Sequence, residues 1–233
     1  MNGLTVIKRD SASAIAELRP FIISYRHYFS FYRLPKLSVT QIDPQLQPLT
    51  RTQLLIAMGV TAVLLGLLAK LWLQFGDVAL LPLRWNAATL PFAIAIAAIV
   101  TTISSLMYQF WAAYRNSADF YLEFVLKPLV LPDLIWVGLL PGLSEELLFR
   151  GVMLPAFGND TTGIAVSSLC FGILHLSNCK QWQYVVWATI VGFILGYSAV
   201  VTNNLLVPII AHVLINLISS SIWKLKHPES QAG

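Results

Sequence analysis

Charge is what this sequence has least of. Only 11% of its 233 residues are Asp, Glu, Lys or Arg, against roughly 25% in an ordinary soluble domain. With 57% hydrophobic residues and a mean hydropathy of +0.70, the chain reads as a polytopic membrane protein. Cysteine is also scarce: Cys170 and Cys179 have no CxxC spacing, which excludes a disulfide framework and a zinc ribbon. No basic patch accompanies a nucleic-acid-binding signature, so the net charge of +4 carries topology rather than a nucleic-acid partner. Several catalytic signatures are missing too. There is no G-x-S-x-G around Ser144, because position 146 is Glu, and no H-E-x-x-H. The amino-terminal residues include Lys8, Arg9, Asp10, Glu17, Arg19 and Arg26 and lack a signal-type apolar core with a cleavage site, so the first span is expected to act as its own signal. No repeat or low-complexity tract divides the chain.

What is present is a series of apolar runs. Residues 1–52 form a basic, aromatic arm, with Tyr25, Tyr28, Phe29 and Phe31 among seven of the fifteen Lys and Arg, a composition suited to a cytoplasmic or interfacial segment. The remainder, 53–226, is expected to be an all-α transmembrane bundle of six spans: Leu54–Phe75, Leu90–Trp111, Leu134–Pro155 with a bend near Pro141, Gly163–Ser177, Trp182–Val201 and Leu205–Trp223. Between the second and third, Ser117–Val130 mixes Asp119, Glu123 and Lys127 with aromatic and aliphatic residues and ends among Pro128 and Pro132, which predicts an interfacial helix. Twelve Lys and Arg fall on the side of the termini and one, Arg84, opposite. By the positive-inside rule both termini are cytoplasmic, in the plasma membrane or an internal membrane.

The third span contains Glu145, Glu146 and Arg150. Ionisable groups within a bilayer are costly and mark functional sites. Neighbours on a helix point about 100° apart, so the two carboxylates have different directions. Glu146 and Arg150, at i and i+4, can pair along one face, leaving Glu145 directed at water or substrate. His175 and the pair His212 and Asn216, one turn apart on one face, lie in other spans. Counted at about 1.5 Å per residue along straight helices, Glu145, His175, His212 and Asn216 fall in one central layer. A carboxylate with a histidine neighbour can hold a water and take its proton, and a His and an Asn can donate to an oxyanion. A single zinc held by Glu145, His175 and His212 is an alternative use of the same donors.

Three motifs in order, Glu145-Glu146-x-x-x-Arg150, Phe171-x-x-x-His175 and His212-x-x-x-Asn216, resemble those of the CPBP intramembrane protease family, which includes the type II CAAX prenyl endopeptidases and the Abi proteins. The resemblance covers about residues 130–222. It implies a helical membrane bundle that cleaves peptide bonds of a membrane-embedded or membrane-associated protein. Glu145 and His175 would activate water, His212 and Asn216 would stabilise the oxyanion, and Glu146, Arg150 and Phe171 would support the site. Family members are described both as metalloproteases and as glutamate-dependent enzymes, and the motifs fit both. The better-known endopeptidases have about eight spans rather than six, and residues 1–52 match no family motif. Two other functions remain open: a non-catalytic scaffold or chaperone of the same fold, and a proton relay through Glu145 and the histidines.

Overall fold

A computed structural model describes residues 49–176 and 178–227, and nearly all of the amino-terminal arm lies outside them. The first helix, α1 (Arg51–Phe75), starts at a capping box in which the Thr50 hydroxyl accepts from the Gln53 N–H and the Gln53 side chain accepts from the Thr50 N–H, satisfying donors that a helix start leaves open. After a loop come α2 (Leu90–Phe110), with proline in its first turn, and α3 (Ala112–Leu126), joined through Trp111 in extended conformation. A 3-10 turn, Leu131–Asp133, leads into α4 (Leu134–Glu146), a π-helical segment Leu147–Met153 and the single turn α5 (Leu154–Phe157). Then follow α6 (Thr161–Leu174), α7 (Trp182–Thr202) and α8 (Leu206–Lys226). The described residues are helical with connecting loops and contain no strand.

The outer surface identifies the solvent. The most apolar window of α1 is only 11% buried, and Val60, Leu64, Leu67 and Leu71 are exposed along it. Such a contiguous apolar face is stable against lipid, not water. The chain is an integral, multi-pass membrane protein. Four helices, at Arg51–Phe75, Ala87–Phe110, Cys179–Thr202 and Leu206–Lys226, are long and apolar enough to cross a bilayer. The bent unit of Ala112–Leu126 and Leu131–Phe157 makes a fifth if counted as one span. The six expected segments are helical over most of their described residues, and four or five of the helical units meet the length and hydropathy of a bilayer span. The fourth expected span, α6, has 14 residues, about 21 Å at 1.5 Å per residue, short of the ~30 Å hydrocarbon core. Depths counted from full-length straight spans do not apply to it. The bend between α3 and the following helical unit is 103°, consistent with α3 as an interfacial helix beside a spanning one.

Helix α4 continues through Pro141. The irregularity lies six residues later, where the π segment begins at Leu147, rather than at the proline. Proline removes one N–H, and Ser144 occupies the nearby Leu140 carbonyl with its hydroxyl, 2.7 Å away.

Helix α8 packs against α4, α2 and α7, while α1 lies on α4 and the π segment. The approach of α4 to α8 depends on two glycines. A Cβ on Gly138 would stand 2.6 Å from the Leu217 side chain, and one on Gly142 would stand 2.5 Å from Val213 Cγ2 and 3.1 Å from its backbone N. Gly138, Gly142 and Glu146 recur every four residues on one face of α4, and the next turn after the glycines brings Glu146 against α8.

The two ends of the bundle differ. At one end Arg51 makes a two-pronged ion pair with Asp133, both contacts 2.7 Å, and Lys224 donates to the Lys127 carbonyl. Lys226 lies over the Tyr108 ring and Arg115 donates to the Tyr108 carbonyl, so five basic residues share this end. At the other, the loop after α1 is fastened down: the Leu81 N–H donates to the Gly151 carbonyl of the π segment, and the Leu205 N–H to Pro82. Asn204 holds the Arg84 backbone on both sides.

Candidate active site

Glu146 sits at the end of α4, where the helix widens into the π segment. Its Oε1 accepts from Arg150 at 2.7 Å and lies 2.8 Å from His212 Nδ1. Both Glu146 and Arg150 are fully buried. The expected i, i+4 ion pair is present, and a π turn keeps residues four apart nearly in line. Arg150 also donates to the Gly192 carbonyl at 3.0 Å, and its guanidinium lies 4.4 Å from the Phe171 ring centroid. A buried cation is thus met by a carboxylate, a carbonyl and an aromatic face. The carboxylate can only accept, so the His212 Nδ1 proton points to Glu146, which leaves Nε2 as the ring nitrogen free for other partners.

Glu145 points elsewhere, as the angle between successive helical side chains requires. Its Oε2 is buried without a hydrogen-bond partner among the described residues and lies 4.0 Å from His175 Nε2. His175 caps the end of α6, and its Nδ1 lies 2.9 Å from the Phe171 carbonyl. A carbonyl accepts, so this contact places the neutral ring's proton on Nδ1 and leaves the Nε2 lone pair facing Glu145. Phe171 joins the two histidines: its ring centroid is 4.7 Å from that of His175 and 5.7 Å from that of His212.

Glu145, His175, His212 and Asn216 all line one cavity of about 360 Å³. Its lining continues along α8 to Trp223 and Lys226, about 15 Å beyond Asn216 at 1.5 Å per residue, toward the basic end of the bundle. Walls come from α1, α2, α3 and α4 as well, with Met58, Tyr108, Tyr121 and Leu140 among them.

The four expected site residues therefore line one cavity. His212, for which the sequence named no carboxylate partner, bonds to Glu146. Depth counting gives a height in the membrane but no rotation about the helix axis, and the glycine face of α4 sets that rotation. Reasoning from motifs also passed over Tyr121 and Tyr184, which stand beside His175 with ring centroids 6.1 and 6.2 Å from it. The available signal was Ser117 and Tyr121, one turn apart on α3. The expected zinc ligands do not form a set: among the described residues, no group of three or more His, Cys, Asp and Glu is disposed to hold a metal ion.

Fold and site together define a helical membrane protein with a buried, histidine-rich carboxylate centre. Residues 127–218, a stretch that holds all three motifs, match the family model "Type II CAAX prenyl endopeptidase Rce1-like". It is 26% identical to the uncharacterized protein YpbD of Bacillus subtilis (strain 168) over 136 residues, 58% of this chain and 69% of that protein. It is 32% identical to the UPF0177 protein YxdF of Lactococcus lactis subsp. lactis (strain IL1403) over 89 residues, 38% of this chain and 49% of that protein. The uncharacterized protein YyaK of Bacillus subtilis (strain 168) is 34% identical over 82 residues, 32% of this chain and 27% of that protein. The chain thus spans half or less of the length of the latter two relatives. No solved structure matches it significantly.

Proposed function

We propose that this protein is an intramembrane endopeptidase that hydrolyses peptide bonds of a membrane-associated protein or peptide. The observation that carries the proposal is the unpartnered, buried Glu145 Oε2 placed 4.0 Å from His175 Nε2. Two acceptors at that separation are too far apart to bond directly, but both reach a water placed about 2.8 Å from each. Glu145 takes the water's proton as the oxygen attacks the scissile carbonyl, and His175 orients that water through its lone pair. His212, as an imidazolium that keeps its Nδ1 proton on Glu146 and presents an Nε2–H, and the Asn216 amide donate to the oxyanion of the tetrahedral intermediate. The proton held on Glu145 then passes to the departing amine as the C–N bond breaks. Glu146 and Arg150 act behind this set by fixing the orientation of His212, and Phe171 by holding both imidazoles.

The activity named for the matching family, a prenyl endopeptidase, supports the reaction type. The proposed substrate class is broader: any protein or peptide that can bring an extended segment into the cavity from the membrane. No step is routed through a metal, since Glu145, His175 and His212 are not disposed as a ligand set. Both termini are assigned to the cytoplasm on the clustering of Arg51, Arg115, Lys127, Lys224 and Lys226 at one end of the bundle.

The test compares membranes of cells carrying wild type, Glu145→Ala or His175→Ala for accumulated uncleaved membrane proteins. Proteolysis predicts full-length species that only the wild type removes. Equal restoration of every protein by mutant and wild type would point instead to a scaffold, and proton flux from reconstituted vesicles without fragments to a relay.

A further inference from the structure

His175 is poorly held by its own helix. It follows the last residue of α6, with φ −87° and ψ 7°, and among the described residues its side chain hydrogen-bonds to Phe171 in the preceding turn. A ring placed beyond a helix end depends on packing from other elements. Here the packing comes from two tyrosines. Tyr121 of α3 and Tyr184 of α7 stack on each other with centroids 4.7 Å apart and planes 23° apart. Both rings contact His175, at 6.1 and 6.2 Å, on inclined planes, while Phe171 approaches to 4.7 Å. Such aromatic pairs contribute beyond simple area burial and favour particular ring orientations.

The position of Tyr121 is itself built. Ser117, one turn earlier on α3 and almost fully buried, donates to the Gln181 carbonyl at 3.0 Å and accepts from the Tyr184 N–H at 3.3 Å. These two hydrogen bonds tie α3 to the start of α7 at the turn that carries Tyr184. Serine and tyrosine at i and i+4 share a helix face, so the same docking sets Tyr121 on Tyr184. Helix α3 lies across the 103° bend from the helix that carries Glu145, and it is separate from the helix that carries His212.

We propose that Tyr121 is a positioning residue for His175, and that docking of the interfacial helix α3 through Ser117 completes the site. The ring of Tyr121, rather than its hydroxyl, is the working part. The inference rests on the hydrolase reading, since it assigns His175 the task of orienting water. A misplacement of about 1 Å in such a group is enough for losses near a hundredfold.

The test uses full-length protein in proteoliposomes with a native membrane-protein extract, scoring newly formed peptide amino termini by mass spectrometry. Tyr121→Phe, Tyr121→Leu and Ser117→Ala are compared with wild type. In parallel, solid-state ¹⁵N spectra of ring-labelled histidine follow His175, assigned with His175→Gln. Tyr121→Phe should cleave within about threefold of wild type. Tyr121→Leu should lose at least about tenfold in turnover with little change in the substrate level needed for half-maximal rate, and the His175 ring signals should broaden or split. Ser117→Ala should lose less, in the same direction, and supplies the test by itself if Tyr121→Leu fails to fold. Unchanged turnover and unchanged His175 signals in Tyr121→Leu, or in Ser117→Ala where that variant stands in, would overturn the proposal. So would a loss in Tyr121→Phe equal to that in Tyr121→Leu, which would assign the role to the hydroxyl. If His175 responds as expected but wild type forms no new termini, the positioning stands and the hydrolase reading fails.

Discussion

Glu146→Gln is a nearly isosteric change that removes one negative charge from a site with no access to water. In the wild type its Oε1 receives Arg150 at 2.7 Å and lies 2.8 Å from His212, with the Glu146 and Arg150 side chains at 0% exposure. Arg150 stays charged whatever its surroundings, so the variant buries a guanidinium against a neutral amide, the Gly192 carbonyl and the Phe171 face. Breaking a buried pair in this way costs about 3–5 kcal/mol. Each kcal/mol lowers the melting temperature by about 2–4 °C at this chain length, which predicts a fall of roughly 6–20 °C. The assay is thermal unfolding in detergent followed by tryptophan fluorescence, with Arg150→Met added to close a double-mutant cycle. The Glu146→Gln/Arg150→Met protein removes both charges and should regain most of the loss. A single variant melting within about 2 °C of wild type, equivalent to roughly 1 kcal/mol or less, would refute the claim that Arg150 depends on Glu146. So would a double variant no more stable than the single.

Gly142→Ala should weaken both stability and cleavage, because its Cβ would meet Val213 at 2.5 Å and the Val213 backbone at 3.1 Å, forcing α4 from α8; overpacking of this kind costs about 1–3 kcal/mol, read as a lower melting temperature. Arg51→Ala removes both hydrogen bonds from Arg51 to the Asp133 carboxylate, leaves it the Val130 N–H, and should lower the melting temperature in the same unfolding assay. Incubation with a chelator should leave formation of new termini within about twofold of the untreated rate, since the proposed step uses Glu145 for proton transfer and His175 to orient the water. A loss restored by added zinc would instead make Glu145, His175 and His212 ligands.

Much of the bundle could be read from apolar runs with visible punctuation. Gly76 ends α1, Trp111 turns the chain between α2 and α3, and the charge-free runs of α7 and α8 are long enough to span. The break before the third unit could be read from Pro128 and Pro132, which follow Asp119, Glu123 and Lys127; its 103° angle could not. The length of α6 was less legible, because its apolar run continues beyond Leu174 while the helix stops at His175. The π segment left no mark in composition: it is a shift of hydrogen-bond register, stabilised partly by the distant Leu81 N–H on Gly151. At the site, residue types and order named Glu145, His175, His212 and Asn216. They did not say which carboxylate His212 would meet. That depends on how α4 and α8 rotate against each other, and Gly138 and Gly142 carry this information only once their partners Leu217 and Val213 are known. The tyrosine support of His175 was hidden for a similar reason, since it joins α3 to α7 across 63 residues of sequence between Tyr121 and Tyr184.

The most direct measurement of the central claim is product formation by Glu145→Gln, reconstituted beside wild type with the same membrane-protein extract and checked for an unchanged melting temperature. Water activation by Glu145 predicts that wild type forms new peptide termini and that the folded variant forms them at least about a hundredfold more slowly. A folded Glu145→Gln protein that produces the same termini at the wild-type rate would contradict the account.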